Sequence, residues 1–74
     1  MARVLHVLKG DHSREAALTI EPQVRAGDHV TVALIGGVAA PALPAGVETR
    51  RVPDEISYGE LVELIFAADS VVTW

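Results

Sequence analysis

The fold is decided by one stretch near the end of the chain, SYGELVELIFAADSVVTW, residues 57–74. Ser57 and Glu60 have the spacing of a capping box, in which each side chain accepts a hydrogen bond from the other residue's backbone N–H. Apolar residues at helical spacing predict the buried stripe of the helix that follows: Leu61, Leu64, Ile65 and Ala68. The β-branched residues after it predict a strand that ends in Trp74.

The first third of the chain predicts another strand and helix. Residues 3–8 are apolar with little alternation, which is typical of a strand covered on both faces. Asp11 or Ser13 is predicted to cap the next helix. Its apolar face comprises Ala16, Ala17, Ile20 and Val24. Pro22 cannot donate a backbone hydrogen bond, so it predicts a kink or a restart of the helix. Gly27 fits a left-handed C-terminal cap.

The middle of the chain predicts two more strands. Residues 29–35 are strongly apolar, whereas residues 47–52 are partly polar and therefore less covered. Gly36-Gly37 predicts a tight turn, and the Ala/Pro-rich residues 38–45 predict at most a short helix. The pattern indicates one α/β domain over residues 1–74. We expect a small parallel, flavodoxin-like sheet of about four strands, in the order 2-1-3-4, with helices on both faces.

Length and cysteine content bound the possible roles. A chain of 74 residues is at a size where only about 60% of the unfolded surface becomes buried, so the core is marginal. The sequence contains no cysteine, so disulfides are excluded as a source of stability. With one long helix on each face, apolar sheet surface should be left uncovered. The sequence therefore predicts an oligomer, and it excludes thiol chemistry by this chain.

Charge and hydropathy exclude further classes. The formal charge is −4, and the six basic residues are spread along the chain, which argues against direct nucleic-acid binding. Residues 30–47 form a long uncharged run, but its three glycines and two prolines do not suit a membrane-spanning helix. Residues 4–8 are too short for a signal segment. We expect a cytoplasmic protein with no membrane partner and no cofactor.

One candidate ligand site lies at the predicted carboxyl ends of the strands, where α/β sheets bind ligands. Lys9, His12 and Ser13 follow the first strand, and Gly36 and Gly37 follow the second. A lysine, a histidine and free helix N–H groups can receive an anion. A solvated loop with a helix cap explains the same residues more simply.

The three histidines do not predict a metal site. His12 lies at the carboxyl end of the first strand, and His29 lies at the amino end of the second. Strands of about six residues hold such ends roughly 20 Å apart, too far for a shared metal. His6 is predicted to be a core or interface histidine whose ring nitrogens are hydrogen-bonded.

Several segments together resemble the DsrH/TusB family. They are Leu5-His6-Val7-Leu8, Ala26-Gly27-Asp28, Gly37-Val38-Ala39-Ala40, Tyr58-Gly59-Glu60-Leu61-Val62-Glu63-Leu64 and the terminal Trp74. The resemblance covers about the first 40 and last 17 residues. Two features depart from the family: Gly36 stands where relatives carry aspartate, and the part between Ala40 and Tyr58 is shorter.

The resemblance implies a small cytoplasmic DsrE-like subunit that assembles with DsrE/TusD-like and DsrF/TusC-like partners. Such complexes relay persulfide sulfur, in tRNA wobble-uridine 2-thiolation or in sulfur oxidation, and the accepting cysteine belongs to the DsrE/TusD-type subunit. The chain would then be a non-catalytic subunit, not an enzyme in its own right. Tyr58, Phe66 and Trp74 are candidate interface anchors. The alternative is that all three fill a small core, which is the favoured interpretation for Trp74.

Two alternatives stay open. The chain could be a stand-alone homo-oligomer that binds a small anion or nucleotide fragment at the rim, in which case Lys9→Ala or His12→Ala would abolish binding. A third and less favoured interpretation is an enzyme that uses His12 with Asp11. The sequence does not discriminate between sulfur pathways.

Overall fold

The computed structural model describes residues 2–74, which form one parallel sheet with a helix on each face. The elements are β1 (Arg3–Leu8), α1 (Ser13–Arg25), β2 (His29–Ile35), β3 (Glu48–Val52), α2 (Tyr58–Ala67) and β4 (Ser70–Thr73). All neighbouring strands are parallel, and their order is β3-β2-β1-β4. The α/β class and the parallel sheet agree with the prediction.

The strand order differs from the predicted 2-1-3-4. β3 lies at the sheet edge beside β2, rather than between β1 and β4. The physical reason is charge: Glu48, Arg50 and Arg51 keep solvent contact at an edge but would be desolvated in the centre. β1 and β2 are apolar on both faces and therefore take the two central positions.

The two helices cover opposite faces of the sheet, as predicted. Val4 and Leu8 of β1 pack in the core beneath α1, and we call this side the α1 face. Leu5 and Val7 point the other way and pack with Leu61 of α2, on the α2 face. The chain advances from β1 to β3 across the α1 face and returns to β4 across the α2 face. Both movements fit right-handed crossovers.

Residues 36–47 complete the cover of the α1 face. Gly36 and Gly37 have φ of +66° and +80°, a conformation that only glycine adopts easily, and they turn the chain out of β2. The following residues form no helix, yet their apolar side chains pack against the α1 core: Val38, Leu43 and Val47. The link therefore acts as a crossover between β2 and β3.

The start of α1 differs from the prediction, whereas its C-terminal end agrees with it. The N-cap residue is His12, whose side chain makes no capping hydrogen bond, so a cap from Asp11 or Ser13 is wrong. Pro22 lies inside one continuous helix. Gly27 has φ of +87° and its N–H donates to the Val24 carbonyl at 3.0 Å, which confirms its role at the C-terminus.

The start of α2 confirms the capping box. The Glu60 N–H donates to Ser57 Oγ at 3.1 Å, and the Ser57 N–H donates to Glu60 Oε1 at 3.0 Å. Leu61 is buried and Leu64 packs on the same core, but Ile65 is 38% exposed, so its place in the buried stripe is wrong. None of the helices within residues 2–74 has the length and apolarity that crossing a membrane requires.

Candidate functional site

The α1 face encloses a polar cluster around His6, whose side chain is fully buried. The indole N–H of Trp74 can only donate, and it lies 3.0 Å from His6 Nδ1. Nδ1 must therefore be the accepting nitrogen. Nε2 then carries the proton and donates to Gln23 Oε1 at 2.7 Å. This confirms the prediction of a core histidine with both ring nitrogens bonded.

Trp74 completes this cluster by packing as well as by hydrogen bonding. Its ring is nearly parallel to that of His6, with centroids 6.2 Å apart and an interplanar angle of 13°. It is partly buried against the α1 core. Because both nitrogens of His6 are engaged inside the protein, the cluster holds the fold together and offers no group to a ligand.

The candidate rim residues lie at one edge of the sheet, because β1 and β2 are neighbours. Lys9, His12 and Ser13 follow β1, and Gly36 and Gly37 follow β2. Several of their groups are already occupied. The Gly36 N–H donates to the Val52 carbonyl at 3.1 Å, and His12 Nδ1 lies 3.0 Å from Glu15 Oε2.

At the start of α1, His12, one of the candidate anion-binding residues, is already paired with a carboxylate. Glu15 lies in the first turn of the helix, and its hydrogen bond with His12 is the main cause that lowers the pKa of Glu15 below its ordinary value. An incoming anion would meet this ionised carboxylate. His12 is paired with Glu15 rather than with Asp11, the partner that the enzyme interpretation requires.

The observed strand order also moves the point at which ligands usually bind. In doubly wound sheets this point is the crevice where the strand order reverses. For the order β3-β2-β1-β4 it lies between β1 and β4, not beside Gly36 and Gly37. Trp74 follows β4 directly. Its backbone N–H donates to the Val7 carbonyl at 2.8 Å, and this hydrogen bond holds Trp74 against β1.

The α2 face is open on both flanks of its helix. On one flank, a cavity of about 300 Å³ lies between α2 and the edge strand β3, and a second cavity of about 130 Å³ lies at the amino ends of the strands. Leu64 and Ala67 line both. We call this flank the β3-side groove; its charged lining residues are Arg3, Glu48, Arg50, Glu60 and Glu63.

Charges of both signs ring the β3-side groove. Glu48 lies between two basic groups, with one carboxylate oxygen 3.4 Å from His29 Nε2 and the other 3.3 Å from the Arg50 guanidinium. Glu60 and Glu63 add negative charge from α2. The floor is apolar and includes Leu5 and Ile56. Such a groove combines an apolar centre with a charged rim.

The other flank of α2 is apolar and carries no charge. We call it the β4-side patch, and its exposed members are Tyr58, Val62, Ile65, Phe66 and Val71. The first four lie at helical positions i, i+4, i+7 and i+8, on the opposite side of α2 from Glu60 and Glu63. Val71 belongs to β4 and pairs in register with Leu5, so its side chain lies on the same face.

The three histidines lie in separate surroundings, on β1, before α1 and on β2. No group of three or more metal-ligating side chains occurs within residues 2–74.

In comparisons with known proteins, no family model, no curated protein and no solved structure significantly matches this chain.

Sequence reasoning names Tyr58 and Phe66 as candidate interface anchors, and both are exposed, so neither fills the core. It misses the groove on the other flank of α2. The groove residues come from three strands and α2. The signal that could have found them is the charge on residues 48–51. That charge marks β3 as an edge strand and leaves the space between it and α2 without further cover.

Proposed function

We propose that this chain is a non-catalytic assembly subunit of the DsrH/TusB kind, which positions a cysteine-bearing partner in a cytoplasmic sulfur-relay complex. The observation that carries the proposal is the β3-side groove, which is lined by one flank of α2 from Glu60 to Ala67. It has room for protein side chains and lies on a face where, within residues 2–74, only one helix covers four strands. We therefore assign to it the docking of a partner subunit.

The make-up of the groove fits a protein partner. Protein interfaces commonly have an apolar centre surrounded by a polar rim. Here Leu64 and Ala67 supply the centre, and Arg50, Glu60 and Glu63 supply the rim. Charges of both signs favour a partner that presents the complementary pattern. The groove therefore has the composition of a protein–protein contact.

The division of chemistry between the subunits follows from the missing thiol. Persulfide transfer requires a thiolate, and the sequence contains no cysteine. The sulfur must then be carried by the partner, which the resemblance identifies as a DsrE/TusD-type protein. The role of this chain is to hold that partner in position, together with a DsrF/TusC-type subunit.

The experiment is co-expression with the DsrE- and DsrF-type proteins of the same organism, followed by native mass spectrometry. We expect a complex that contains the cysteine-bearing protein. Ala67→Arg is the informative variant, because Ala67 is exposed, lines both cavities and lies in a helix that tolerates arginine. We expect it to abolish the complex, whereas Leu18→Arg, at an exposed position of α1 on the opposite face, should not.

Failure to recover any DsrE-type protein would overturn the proposal. Inorganic phosphate binding by the chain alone, lost in Lys9→Ala, would then favour the rim as a ligand site. A complex that Ala67→Arg and Leu18→Arg leave equally intact would keep a partner but remove the groove as its docking surface.

A further inference from the structure

The second open flank of the α2 face, which holds the β4-side patch, suggests a different interaction from that of the groove, because it lies toward the edge strand β4. Among residues 2–74, β4 is the outermost strand on this side, and it pairs only with β1. Its residues, Ser70 to Thr73, carry no charged side chain. The opposite edge strand, β3, carries three. Edge strands are protected from further pairing by short length, charges, prolines or bulges; β4 is short, with four residues, but it carries no charge and no proline.

The backbone of β4 leaves a definite set of groups unpaired. The Trp74 N–H donates inward to the Val7 carbonyl. In a parallel ladder the inward-facing residues alternate with outward-facing ones, so the N–H and C=O groups of Val71 and Thr73 face away from β1. These two residues present two donors and two acceptors along the open edge.

We propose that two copies of the chain join through β4, paired antiparallel about a two-fold axis that passes at Val72. In this register Val71 of one copy exchanges both backbone hydrogen bonds with Thr73 of the other, and the same occurs on the opposite side of the axis. Every outward-facing group of β4 is then satisfied. The two sheets of four strands become one continuous sheet.

The side chains around β4 fit the same symmetry. A two-fold axis perpendicular to the sheet places both α2 helices on the same side, with their β4-side patches facing each other. Val71 lies on the α2 face of β4, in register with Leu5. Pairing therefore places the new strand beside the exposed Val71 of both copies and extends the apolar surface of this face.

The pattern of unpaired groups explains why a second copy fits this edge. In a two-fold contact residue i of one copy meets residue j of the other, and here the donor and acceptor of Val71 meet those of Thr73, so β4 is complementary to itself. The β4-side patch is uncharged, although the chain as a whole carries −4, and Glu60 and Glu63 lie on the other flank. The β3-side groove stays free, so this dimer is compatible with the proposed partner but does not depend on it.

The experiment is sedimentation equilibrium of the purified chain alone over a range of concentrations. We expect a dimer in the wild type. Thr73→Pro removes an outward-facing N–H without touching the β1–β4 ladder, so it should weaken dimerisation about ten-fold or more. Val71→Lys should act in the same direction, because it places a lysine of each copy on the same face of the new strand pair, in diagonal positions.

Leu18→Lys is the matched control, since Leu18 is an exposed apolar residue on the opposite face. It should leave the dimer unchanged. Hydrogen exchange adds an independent readout: the amides of Val71 and Thr73 should become protected as concentration rises, and the Trp74 amide should be protected throughout. Circular dichroism of each variant establishes that it is folded.

A wild-type chain that is monomeric at every concentration would overturn the inference, as would a dimer that Thr73→Pro and Val71→Lys leave intact. These outcomes are separable from those of the proposed function. A monomer that still binds a DsrE-type protein removes only the dimer. A dimer that binds no DsrE-type protein removes only the sulfur-relay role.

Discussion

The two faces of the sheet differ in how completely they are covered. The α1 face is closed by α1, by residues 36–47 and by Trp74, and its buried polar atoms are satisfied within the protein. The α2 face is covered along one line by a shorter helix and stays open on both flanks. The closed face holds the domain together, and the open face is available for association.

We expect the largest effect on stability from a pair of substitutions, one on each helix, that tests how differently the two faces are covered. Ile20 of α1 is fully buried, and Ile65 of α2 is 38% exposed. Ile20→Ala should cost about 2–5 kcal/mol of unfolding free energy, because it leaves a cavity in the core. That is comparable to the whole stability of a domain this small. Ile65→Ala should cost less than about 1 kcal/mol.

Urea denaturation followed by Trp74 fluorescence measures both values. It should be done at concentrations low enough for the chain to be monomeric, so that loss of a dimer contact does not add to the Ile65→Ala value. Equal losses for the two variants would contradict the division into a closed and an open face.

A smaller effect is expected from the hydrogen bond within the closed face. Trp74→Phe keeps an aromatic ring beside His6 but removes the N–H that donates to His6 Nδ1. A buried acceptor is then left without a partner, which should cost about 1–3 kcal/mol. Tyr58→Phe on the open face removes a polar group from an exposed aromatic residue and should change stability by less than about 0.5 kcal/mol.

Thermal or urea unfolding followed by circular dichroism suits this pair, since one variant lacks the tryptophan. A Trp74→Phe protein as stable as Tyr58→Phe would show that the indole stabilises the fold through its buried apolar area and not through its hydrogen bond. In that case the geometry around His6 would not be energetically important.

The smallest effect concerns the exposed end of α1. The hydrogen bond from His12 lowers the pKa of the Glu15 carboxyl below its ordinary value of 4.5. Because the folded pKa is the lower one, the contribution to stability is present above the unfolded pKa and disappears as pH falls through the folded pKa. His12→Ala should return the Glu15 pKa toward its ordinary value. An NMR titration of the Glu15 carboxyl measures the change, and identical midpoints in both proteins would contradict it.

Patterns confined to neighbouring residues predict their structure well in this chain. The bounds of β1 and β2, the capping box at Ser57 and the left-handed Gly27 all follow from interactions within a few residues. The buried role of His6 also follows, because it interrupts a strand that is apolar on both faces. The same reasoning wrongly places Ile65 in the core, because helical spacing alone does not say where the sheet beneath the helix ends.

The candidate surfaces are less predictable, because they depend on which strands become neighbours. The sequence by itself determined the class of fold, most element boundaries and the absence of a thiol. Tertiary structure decided the strand order, the pairing of His6 with Trp74 across 68 positions, and the two open flanks of α2. Local hydrogen bonds and periodicity operate within one or two turns of chain. Strand order instead reflects competition for the buried centre, which the apolar β1 and β2 occupy while the charged β3 stays at the edge.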